Sequence, residues 1–491
     1  MLDDNAVEDL GNLYGFLNRL DLQEQLRQPF STWIEDTGTE IVFDDKDYDA
    51  MIVKLLALKM QLDNVWDNSF QRDLRLGHSL RETFDVFMNK SKKSSATWNT
   101  DNSKPGEMIA KYVDMLLRGG SKAIPAALIK GAVKPANTAE EEDGDEDNDD
   151  DEKQINHQLD QVLDLFRFVH GKAVFEAFYK KDLARRLLMN RSASQDAERS
   201  MLDRLKTECG AQFTANLEQM FKDIELSREE VNGYKMYMEE KNTNPQIDLS
   251  VNILSAAAWP TYPDIPVNIP VDVKAEIDAF QKHYNTKHSG RKLTWKHALA
   301  HCQLRAKFPR GMKELVVSSF QAIVLLLFNS VGRDERISYQ QLLAETGLPA
   351  QELKRTLQSL ACAKLRPLRK HPLGREIADT DTFSLDANFS HEKYRVKINQ
   401  VQLKETKEEN KETHERVNQD RQFETQAAIV RIMKSKKKIN HNLLITEVIE
   451  QTKKRGVLSV SDIKKNIDRL VFSWSNTFCF VSLHTDCIQA H

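Results

Sequence analysis

Apolar residues that recur every three and four positions constrain the fold of this chain more than any other feature. Two such stripes are Leu10, Leu13, Tyr14 and Leu17 near the N-terminus, and Leu159, Val162, Leu163 and Phe166 after residue 155. This spacing places the side chains on one face of an α-helix. Such faces are far more often the core of a helix bundle than a cofactor site. We therefore predict an all-α arrangement up to about residue 240.

A block of acidic residues separates the two helical stretches. Residues 140–152 hold eleven Asp and Glu side chains in thirteen positions, and Gly119, Gly120 and Pro125 precede them. Like charges repel one another and the block has no apolar side chain to bury, so we predict a disordered insert in a linker over residues 121–154. The chain has a net charge of −4, and the rest of it therefore carries +7. This excess favours an acidic partner surface without identifying nucleic acid.

The pattern changes after residue 242. Three short apolar or alternating segments, residues 251–254, 292–295 and 394–398, predict strands of a small sheet. Residues 339–360 have helical spacing interrupted by Gly347 and Pro349, which is the outline of a helix-turn-helix.

The last part of the chain returns to helices. Residues 404–418 are almost wholly charged, which is typical of a solvated helix or spacer. A second helix-turn-helix outline follows, with helices predicted over residues 423–433, 442–452 and 461–472. The predicted fold class is therefore mainly α with a small α/β region.

Composition and motifs exclude several classes of protein. The longest apolar run, residues 322–328, is far shorter than the roughly 20 residues that span a bilayer, and the acidic N-terminus is unlike a secretion signal. Five scattered cysteines without a CxxC pair argue against a disulfide framework or a zinc module. The common phosphate-binding, zinc-protease and serine-hydrolase motifs are missing. We expect no cofactor, no bound metal and no independent enzymatic activity, in a protein of the nucleus and cytoplasm.

Two histidines and one cysteine could be reactive, but their sequence context favours a purely structural role. His283 and His288 lack a thiolate or carboxylate at ligand spacing, so we expect exposed loop histidines rather than a metal site. Cys209 lies in a Glu-Cys-Gly string at a predicted helix end. Because no base is identifiable near it, we expect a buried or capping residue rather than a catalytic thiol.

Specific strings resemble the cullin family. The longest is FEAFYKKDLARRLL at residues 175–188, and the most diagnostic is IVRIMK at residues 429–434. Shorter strings follow the family's order and spacing: SAS at 192–194, ECG at 208–210, MFKD at 220–223, WPT at 259–261, HSGRKL at 288–293 and LQSLA at 357–361. The resemblance extends from residue 155 to residue 471, and the strings themselves are similar to those of the cullin-4 branch.

The resemblance implies a non-catalytic scaffold of a ubiquitin ligase in ubiquitin-dependent protein degradation. In the family, a helical stalk holds a substrate adaptor, and a strand of a RING-box protein adds to the cullin's own sheet. Carried over to this chain, the candidate positions that receive the strand are Val251, Ile253, Leu293, Trp295, Val396 and Ile398. The alternative is that these strands pair only with one another.

Lys434 matches the lysine that the family conjugates to the ubiquitin-like modifier Nedd through an isopeptide bond. It closes the motif formed by Ile429, Val430, Arg431, Ile432 and Met433. Lys436, Lys437 and Lys438 follow it, and their like charges should favour the neutral, nucleophilic amine. The alternative is a solvated lysine in a basic patch.

A second basic cluster is open to two interpretations. Lys180, Lys181, Arg185 and Arg186 could attract the acidic segment of a ubiquitin-conjugating enzyme. They could equally be a solvated helix face.

The resemblance divides the chain into five parts. They are the last helical repeat of the stalk (1–120), the linker (121–154), a four-helix bundle (155–245), an α/β RING-binding region with an inserted winged helix at about 310–370 (246–400), and a linker helix with a C-terminal winged helix (401–491).

Two features depart from the family pattern. The chain begins within what resembles the last stalk repeat, so binding of a β-propeller adaptor of the cullin-4 type is doubtful. Beyond Val471, the expected two-stranded wing with a Tyr-x-Tyr ending is replaced by a weakly charged tail that contains Cys479 and Cys487. We expect this tail to be atypical from residue 472, as if it were translated intron or a misplaced gene end.

Two rival functions stay open. The chain could be a truncated or regulatory cullin-like protein that binds the RING subunit without an adaptor. It could also be a winged-helix reader of DNA, since two helix-turn-helix units and the basic residues 434–438 are present. Against the second reading, residues 461–472 contain Asp462 and Asp468 beside their cations and no Arg or Asn cluster suited to base edges. We therefore expect no direct nucleic-acid partner.

Overall fold

Helices dominate the computed structural model, which describes residues 1–44, 46–90, 104–129, 146–242, 245, 247–332, 335–398, 407–452, 460–475, 482–484 and 487–489. The chain divides into two compact units, one of residues 1–222, 257–260 and 411–491, the other of residues 223–256 and 261–410. The predicted fold class, mainly α with small sheets, is confirmed. In the part of the chain that the structure describes, no helix is long and apolar enough to cross a membrane.

The first unit is built from the helices of the N-terminal half. In chain order they are α1 (Val7–Arg19), α2 (Arg27–Phe43), α3 (Met51–Asn68), α4 (Leu74–Met88), α5 (Lys104–Gly119), α6 (Ala126–Ile129), α7 (Glu146–Arg167), α8 (Lys172–Met189), α9 (Gln195–Cys209) and α10 (Ala211–Glu240). From residue 223 onward, α10 belongs to the second unit. The Asp73 side chain caps α4 by accepting hydrogen bonds from the first free backbone N–H groups of that helix.

The predicted apolar stripes form the core of this unit. Leu10 and Tyr14 are buried in α1, and Leu159, Val162 and Phe166 have no exposed surface in α7. Helix α2 packs on α4, and α5 packs on α8. The stripes were therefore correct markers of the buried helix faces.

The acidic block departs in part from its predicted disorder. Helix α7 begins at Glu146, so residues 146–152 form its first turns, whereas residues 140–145 lie outside the described residues. Carboxylates near a helix N-terminus interact favourably with the helix dipole, which offsets part of their mutual repulsion. From Asp151 onward, the first buried side chain of α7 is that of Ile155.

The second unit combines helices with two small sheets. Its further helices are α11 (Val271–Lys287), α12 (Ser319–Leu327), α13 (Tyr339–Thr346) and α14 (Ala350–Ala361). Its strands are β1 (His301–Phe308), β2 (Gly311–Ser318), β3 (Ile337–Ser338), β4 (Leu368–His371), β5 (Thr382–Leu385) and β6 (Arg395–Lys397). The predicted helix-turn-helix is present as α13 and α14, and Gly347 ends α13 with a φ of +64° that favours glycine.

Strand β2 is the centre of the larger sheet. It pairs antiparallel with β1, where Leu304 lies opposite Leu315, and parallel with β6, where Leu315 lies opposite Val396. The buried Leu315 and Val396 belong to a hydrophobic core that includes Phe320 of α12. The smaller sheet has the order β3-β5-β4.

The predicted strands have different outcomes. Residues 394–398 contain β6, but neither residues 251–254 nor 292–295 form a strand in the structure. The two longest strands, β1 and β2, were not predicted. The reason is that a strand requires a partner for its backbone: β1 and β2 supply one another with eight opposed residue pairs, whereas the two shorter segments find no such partner among the described residues.

The C-terminal part belongs to the first unit from residue 411 onward and follows the predicted order. It contains α15 (Lys407–Lys436), β7 (Lys438–Asn440), α16 (His441–Thr452), α17 (Val460–Ser475), β8 (Ser482–His484) and β9 (Cys487–Gln489). Of the charged stretch 404–418, the described residues lie in α15. The atypical tail nevertheless supplies two paired strands, which join β7 in the order β7-β9-β8. Backbone hydrogen bonds hold a hairpin of this kind, so it does not depend on the expected Tyr-x-Tyr ending.

Candidate functional site

Lys434 lies in the last turn of α15, and its side chain is exposed. The motif residues Ile429, Ile432 and Met433 are almost fully buried in the core of the C-terminal helices, together with Leu444 of α16. Arg431 is exposed and Val430 is half-buried. The buried members of the motif therefore fix the end of the helix, and Lys434 projects from a rigid support.

The three lysines after Lys434 are held differently. Lys436 forms a salt bridge with Glu447 of α16. Lys437 has a positive φ of 63°, and its backbone N–H donates to the carbonyl of Met433 at 2.8 Å. Lys438 belongs to β7. Because Glu447 neutralises one of the three cations, the basic surroundings expected for Lys434 are weaker than the sequence indicated.

The N-terminal half of α15 is attached to α5 through a charged contact. His414 Nε2 lies 2.8 Å from a carboxylate oxygen of Glu107, and its ring lies 5.1 Å from that of Phe178 in α8. Lys111 also forms a salt bridge with Glu107. Burial alone would raise the pKa of Glu107, but the hydrogen bonds and charges of His414 and Lys111 outweigh it and lower that pKa.

The segments 251–254 and 292–295 share one hydrophobic cluster in the second unit. Val251 is buried in it, and Ile253, Leu293 and Trp295 pack against it. The remaining members come from α10 and α11: Val231, Tyr234, Phe280 and Tyr284. Burial alternates residue by residue from 247 to 253 and from 292 to 295. This period of two is the geometry of extended chain, although neither segment is a strand.

One edge of the first segment is bonded to α10 through side chains. The backbone N–H of Ile253 donates to Ser227 Oγ at 2.7 Å, and the Ser227 hydroxyl donates to the Ile253 carbonyl. The backbone N–H of Ser255 donates to Asp223 at 2.8 Å. In extended chain, alternate residues point their backbone groups to opposite edges. Asn252 and Leu254 therefore face the other edge, where their backbones have no hydrogen-bond partner among the described residues.

The other two candidate positions lie in the sheet. Val396 and Ile398 are 1% and 2% exposed. The backbone N–H of Ile398 donates to the Val316 carbonyl at 3.0 Å, which extends the pairing of β6 with β2. Both side chains are therefore part of the core beneath the sheet and are not surface contacts.

The basic cluster on α8 does not form one surface patch. Arg186 is 2% exposed, so its place in the patch was wrong. Its guanidinium donates to both carboxylate oxygens of Glu198, at 2.5 and 3.0 Å, and to Asp114 at 2.6 Å. Burial alone would lower the pKa of Arg186, but the charge of Glu198 and its hydrogen bonds outweigh it and raise that pKa. Arg186 therefore links α8, α9 and α5 inside the core.

The other members of the cluster remain nearer the surface. Lys180, Lys181 and Arg185 are half-buried, and Arg185 lies 3.3 Å from Asp182. Any contact with a conjugating enzyme therefore depends on these three residues.

The cysteine and the two histidines considered above are held by packing and hydrogen bonds within the protein. Cys209 ends α9, and burial raises the pKa of its thiol, which opposes a nucleophilic role. His283 lies within α11, and its ring packs at a tilt against that of Tyr237 with the ring centroids 4.5 Å apart, while His288 Nε2 lies 3.0 Å from a carboxylate oxygen of Glu230. The expectation of exposed loop histidines was wrong, since the aromatic residues of α10 and the carboxylate of Glu230 cover these rings.

Two of the three cations of α17 contact side chains of the C-terminal helices. Arg469 donates to Gln422 of α15 at 2.9 Å, and Lys465 lies 3.7 Å from Asp462. Because these two cations are bound to side chains of the protein itself, they are less available to contact DNA.

Sequence reasoning missed four residues that hold these segments in place: Ser227, Asp223, His414 and Glu447. Ser227 and Asp223 lie one helical turn apart on α10, a spacing that could have marked a shared polar contact. His414 and Glu447 gave no local signal, because their partners lie on other helices.

Three family models match this chain in sequence. They are described as the cullin alpha solenoid domain, over residues 1–231, the cullin alpha+beta domain, over residues 253–389, and the cullin protein neddylation domain, over residues 420–473. The last of these contains Lys434.

Curated relatives match nearly the whole chain. Cullin-4A of Mus musculus is 44% identical and Cullin-4A of Homo sapiens 42% identical, each over 96% of this chain and 57% of the relative. Cullin-4 of Schizosaccharomyces pombe is 40% identical over 94% of this chain and 58% of the relative. The chain therefore spans little more than half the length of these relatives.

Proposed function

The chain belongs to the cullin family, and on that premise we propose that it is the scaffold of a cullin-RING ubiquitin ligase, activated by conjugation of Nedd to Lys434. The observation that carries the proposal is the placement of Lys434: an exposed amine on a helix whose neighbouring motif residues are buried. A scaffold of this kind contributes position and no catalytic group. The RING-box protein and a ubiquitin-conjugating enzyme supply the rest of the ligase, which directs protein degradation.

Conjugation requires a primary amine at Lys434. The neutral Nζ attacks the thioester carbonyl that joins Nedd to its conjugating enzyme. The C–N bond forms, the C–S bond breaks, the cysteine sulfur leaves with the electron pair, and the proton released by the amine passes to solvent. A buried lysine could not reach such a thioester, whereas Lys434 is exposed.

The full chain with a RING-box protein and the Nedd enzymes provides the test. We expect one modified species, with the branched peptide at Lys434. Lys434→Arg keeps the charge and the helix propensity, but its guanidinium is not an acceptor at neutral pH. Modification should fall to a trace while thermal stability stays unchanged. Arg431→Lys, one turn earlier and also exposed, is the control and should leave Lys434 the principal site. Undiminished modification of Lys434→Arg at another lysine contradicts the proposal.

For the RING-box protein, we propose that a strand adds beside residues 251–254. Support comes from the open backbone edge of Asn252 and Leu254, which lies opposite the edge bonded to Ser227. Strand addition satisfies such free groups with main-chain hydrogen bonds. The role of the side chains is then indirect: they hold both segments on the hydrophobic cluster and so support the open edge. These side chains are those of Val251, Ile253, Leu293 and Trp295.

A proline at the open edge tests this docking. Asn252→Pro removes one N–H donor there, and Asn252→Ala removes the side chain but keeps the donor. We expect the proline variant to weaken RING-box binding by roughly tenfold or more, since it loses a hydrogen bond and blocks close approach. The alanine variant should bind within about twofold of the wild type. Equal binding by both variants, each with an unchanged melting temperature, argues against strand addition at this edge.

The substrate adaptor and the location in the cell are further parts of the proposal. Recovery of a β-propeller adaptor with the full chain would favour a working scaffold over a regulatory chain that holds the RING subunit alone. Five scattered cysteines fit a reducing compartment, and we place the protein in the nucleus and cytoplasm. Imaging of the tagged chain tests that placement.

A further inference from the structure

Four lysines lie within five residues of the chain, at 434, 436, 437 and 438, and all four are exposed. Exposure therefore does not explain why one of them should be the acceptor of a modifier. The structure separates them by their partners instead. Lys434 has no hydrogen-bond or ion-pair partner within the described residues, whereas Lys436 forms a salt bridge with Glu447.

Glu447 is well placed to hold Lys436. It lies on α16 between Leu444 and Val448, both fully buried, so its position on the helix is fixed by the core. Its own side chain is 26% exposed, and that of Lys436 is 46% exposed. Lys436 is therefore drawn across the turn toward α16, while the partner-free Lys434 remains directed to solvent.

We propose that Glu447 is a specificity-determining residue, which withdraws Lys436 from conjugation and so confines the modifier to Lys434. This inference rests on the proposed function, namely that Lys434 is an acceptor. The attacking group must be a neutral amine with a free electron pair. A lysine in a salt bridge must separate from its partner before its amine can reach and attack a thioester carbonyl.

The two other lysines are restricted by the backbone rather than by Glu447. Lys437 terminates α15 in a left-handed conformation, and Lys438 pairs with Gln489 in the C-terminal sheet. Removal of the Glu447 charge should therefore release Lys436 selectively and leave Lys437 and Lys438 as they are.

The experiment compares Glu447→Gln with the wild-type full chain in the presence of the RING-box protein and Nedd thioester, and branched peptides are counted by mass spectrometry. Glu450→Gln is the matched control, since it removes the same charge one turn further along α16, where the side chain is exposed. A surface salt bridge changes an equilibrium about two- to fivefold. We expect the ratio of Lys436 to Lys434 modification to rise by about that factor in Glu447→Gln, and to stay unchanged in Glu450→Gln.

The same substitution in a Lys434→Arg background makes the effect easier to detect. There, Glu447→Gln should increase the rate of residual modification at Lys436 by about two- to fivefold. An unchanged ratio in variants with a wild-type melting temperature overturns the role of Glu447 and leaves Lys434 as the acceptor. A wild-type chain that carries no modifier at Lys434 overturns the proposed function instead, so the two failures are distinguishable.

Discussion

The guanidinium of Arg186 remains charged inside the protein because two carboxylates surround it. Glu198 accepts two of its hydrogen bonds and Asp114 accepts a third. The Arg186 ion also lies 5.5 Å from the ring of Tyr179. An ion pair of this kind is not in itself strongly stabilising, but the removal of one partner leaves an uncompensated buried charge. The intact ion pair therefore contributes little to stability, whereas removal of one of its carboxylates is strongly destabilising.

We predict that Glu198→Ala lowers the free energy of unfolding by about 3 kcal/mol or more. Glu24→Ala is the control, because it breaks an Arg–Glu pair in which both side chains are more than half exposed, and it should cost less than about 1 kcal/mol. Chemical denaturation monitored by circular dichroism measures both. Similar small losses in the two variants would contradict a charge buried in the core.

The sequence contained part of the information about Arg186. Phe175, Tyr179 and Arg186 repeat with the spacing of one helix face, and all three are buried. Charge alone nevertheless favoured a surface patch, because Asp114 lies 72 positions away and no local pattern joins the two. In contrast, Lys434 was predicted from a contiguous string in which Ile429, Ile432 and Met433 are buried where helical spacing places them.

At the scale of elements, α15 depends on contacts at both of its ends. Its C-terminal turns pack in the core with α16 and α17, while its first half is attached to α5 by His414 and Glu107. Val417 is the buried apolar residue between these regions. A mostly polar helix has little hydrophobic area to bury, so one charged contact has a correspondingly larger effect on its docking.

The contact predicts a dependence of stability on pH. The pKa of Glu107 in the folded protein lies below its ordinary value of 4.5. The folded state therefore binds protons less readily at this group, and the resulting stability is present above the unfolded pKa and lost as pH falls through the folded pKa. Glu107→Gln should be less stable than the wild type by about 1–2 kcal/mol at pH 7, and the difference should shrink as pH falls below about 4.5.

Glu412→Gln is the control for this titration, because Glu412 lies on α15, the helix that carries His414, and is exposed. Its melting temperature should follow that of the wild type from pH 7 to about pH 3.5. A Glu107→Gln variant that runs parallel to the wild type over the same range would contradict the linkage.

Helices and strands differed in how far the sequence predicted them. Helix α13, its end at Gly347 and the restart in α14 depend on neighbours within a few residues, and all were predicted. Strands depend on partners that are distant in the chain: β6 lies some 80 residues beyond β2, with Arg395 opposite Glu314. The segment 251–254 shows the limit of prediction from local sequence. Its burial alternates like that of a strand up to residue 253, but one edge bonds to a helix and the other has no backbone hydrogen bond among the described residues.

At the scale of the whole molecule, the two candidate sites lie in different compact units. Lys434 belongs to the unit that contains residues 411–491, and the segments on the hydrophobic cluster belong to the unit of residues 223–256 and 261–410. Substitutions at sites that share no contact partner usually have additive effects on stability. Lys434→Arg combined with Asn252→Pro should therefore change the unfolding free energy by the sum of the single effects.

The charge of the chain is distributed unevenly along its sequence. Residues 140–152 supply eleven negative charges, and without them the net charge changes from −4 to +7. We predict that deletion of this block changes the free energy of unfolding by less than about 0.5 kcal/mol, because from Asp151 onward the first buried side chain of α7 is that of Ile155, beyond the block. In the same variant, reversal of the net charge should delay elution from a heparin column to higher salt, since net positive charge attracts the polyanion at long range. Ile155→Ala is the positive control and should cost about 2–4 kcal/mol without a shift on heparin. If the deletion destabilises the chain as much as Ile155→Ala does, the acidic residues are part of the fold and their interpretation as a solvated insert is wrong.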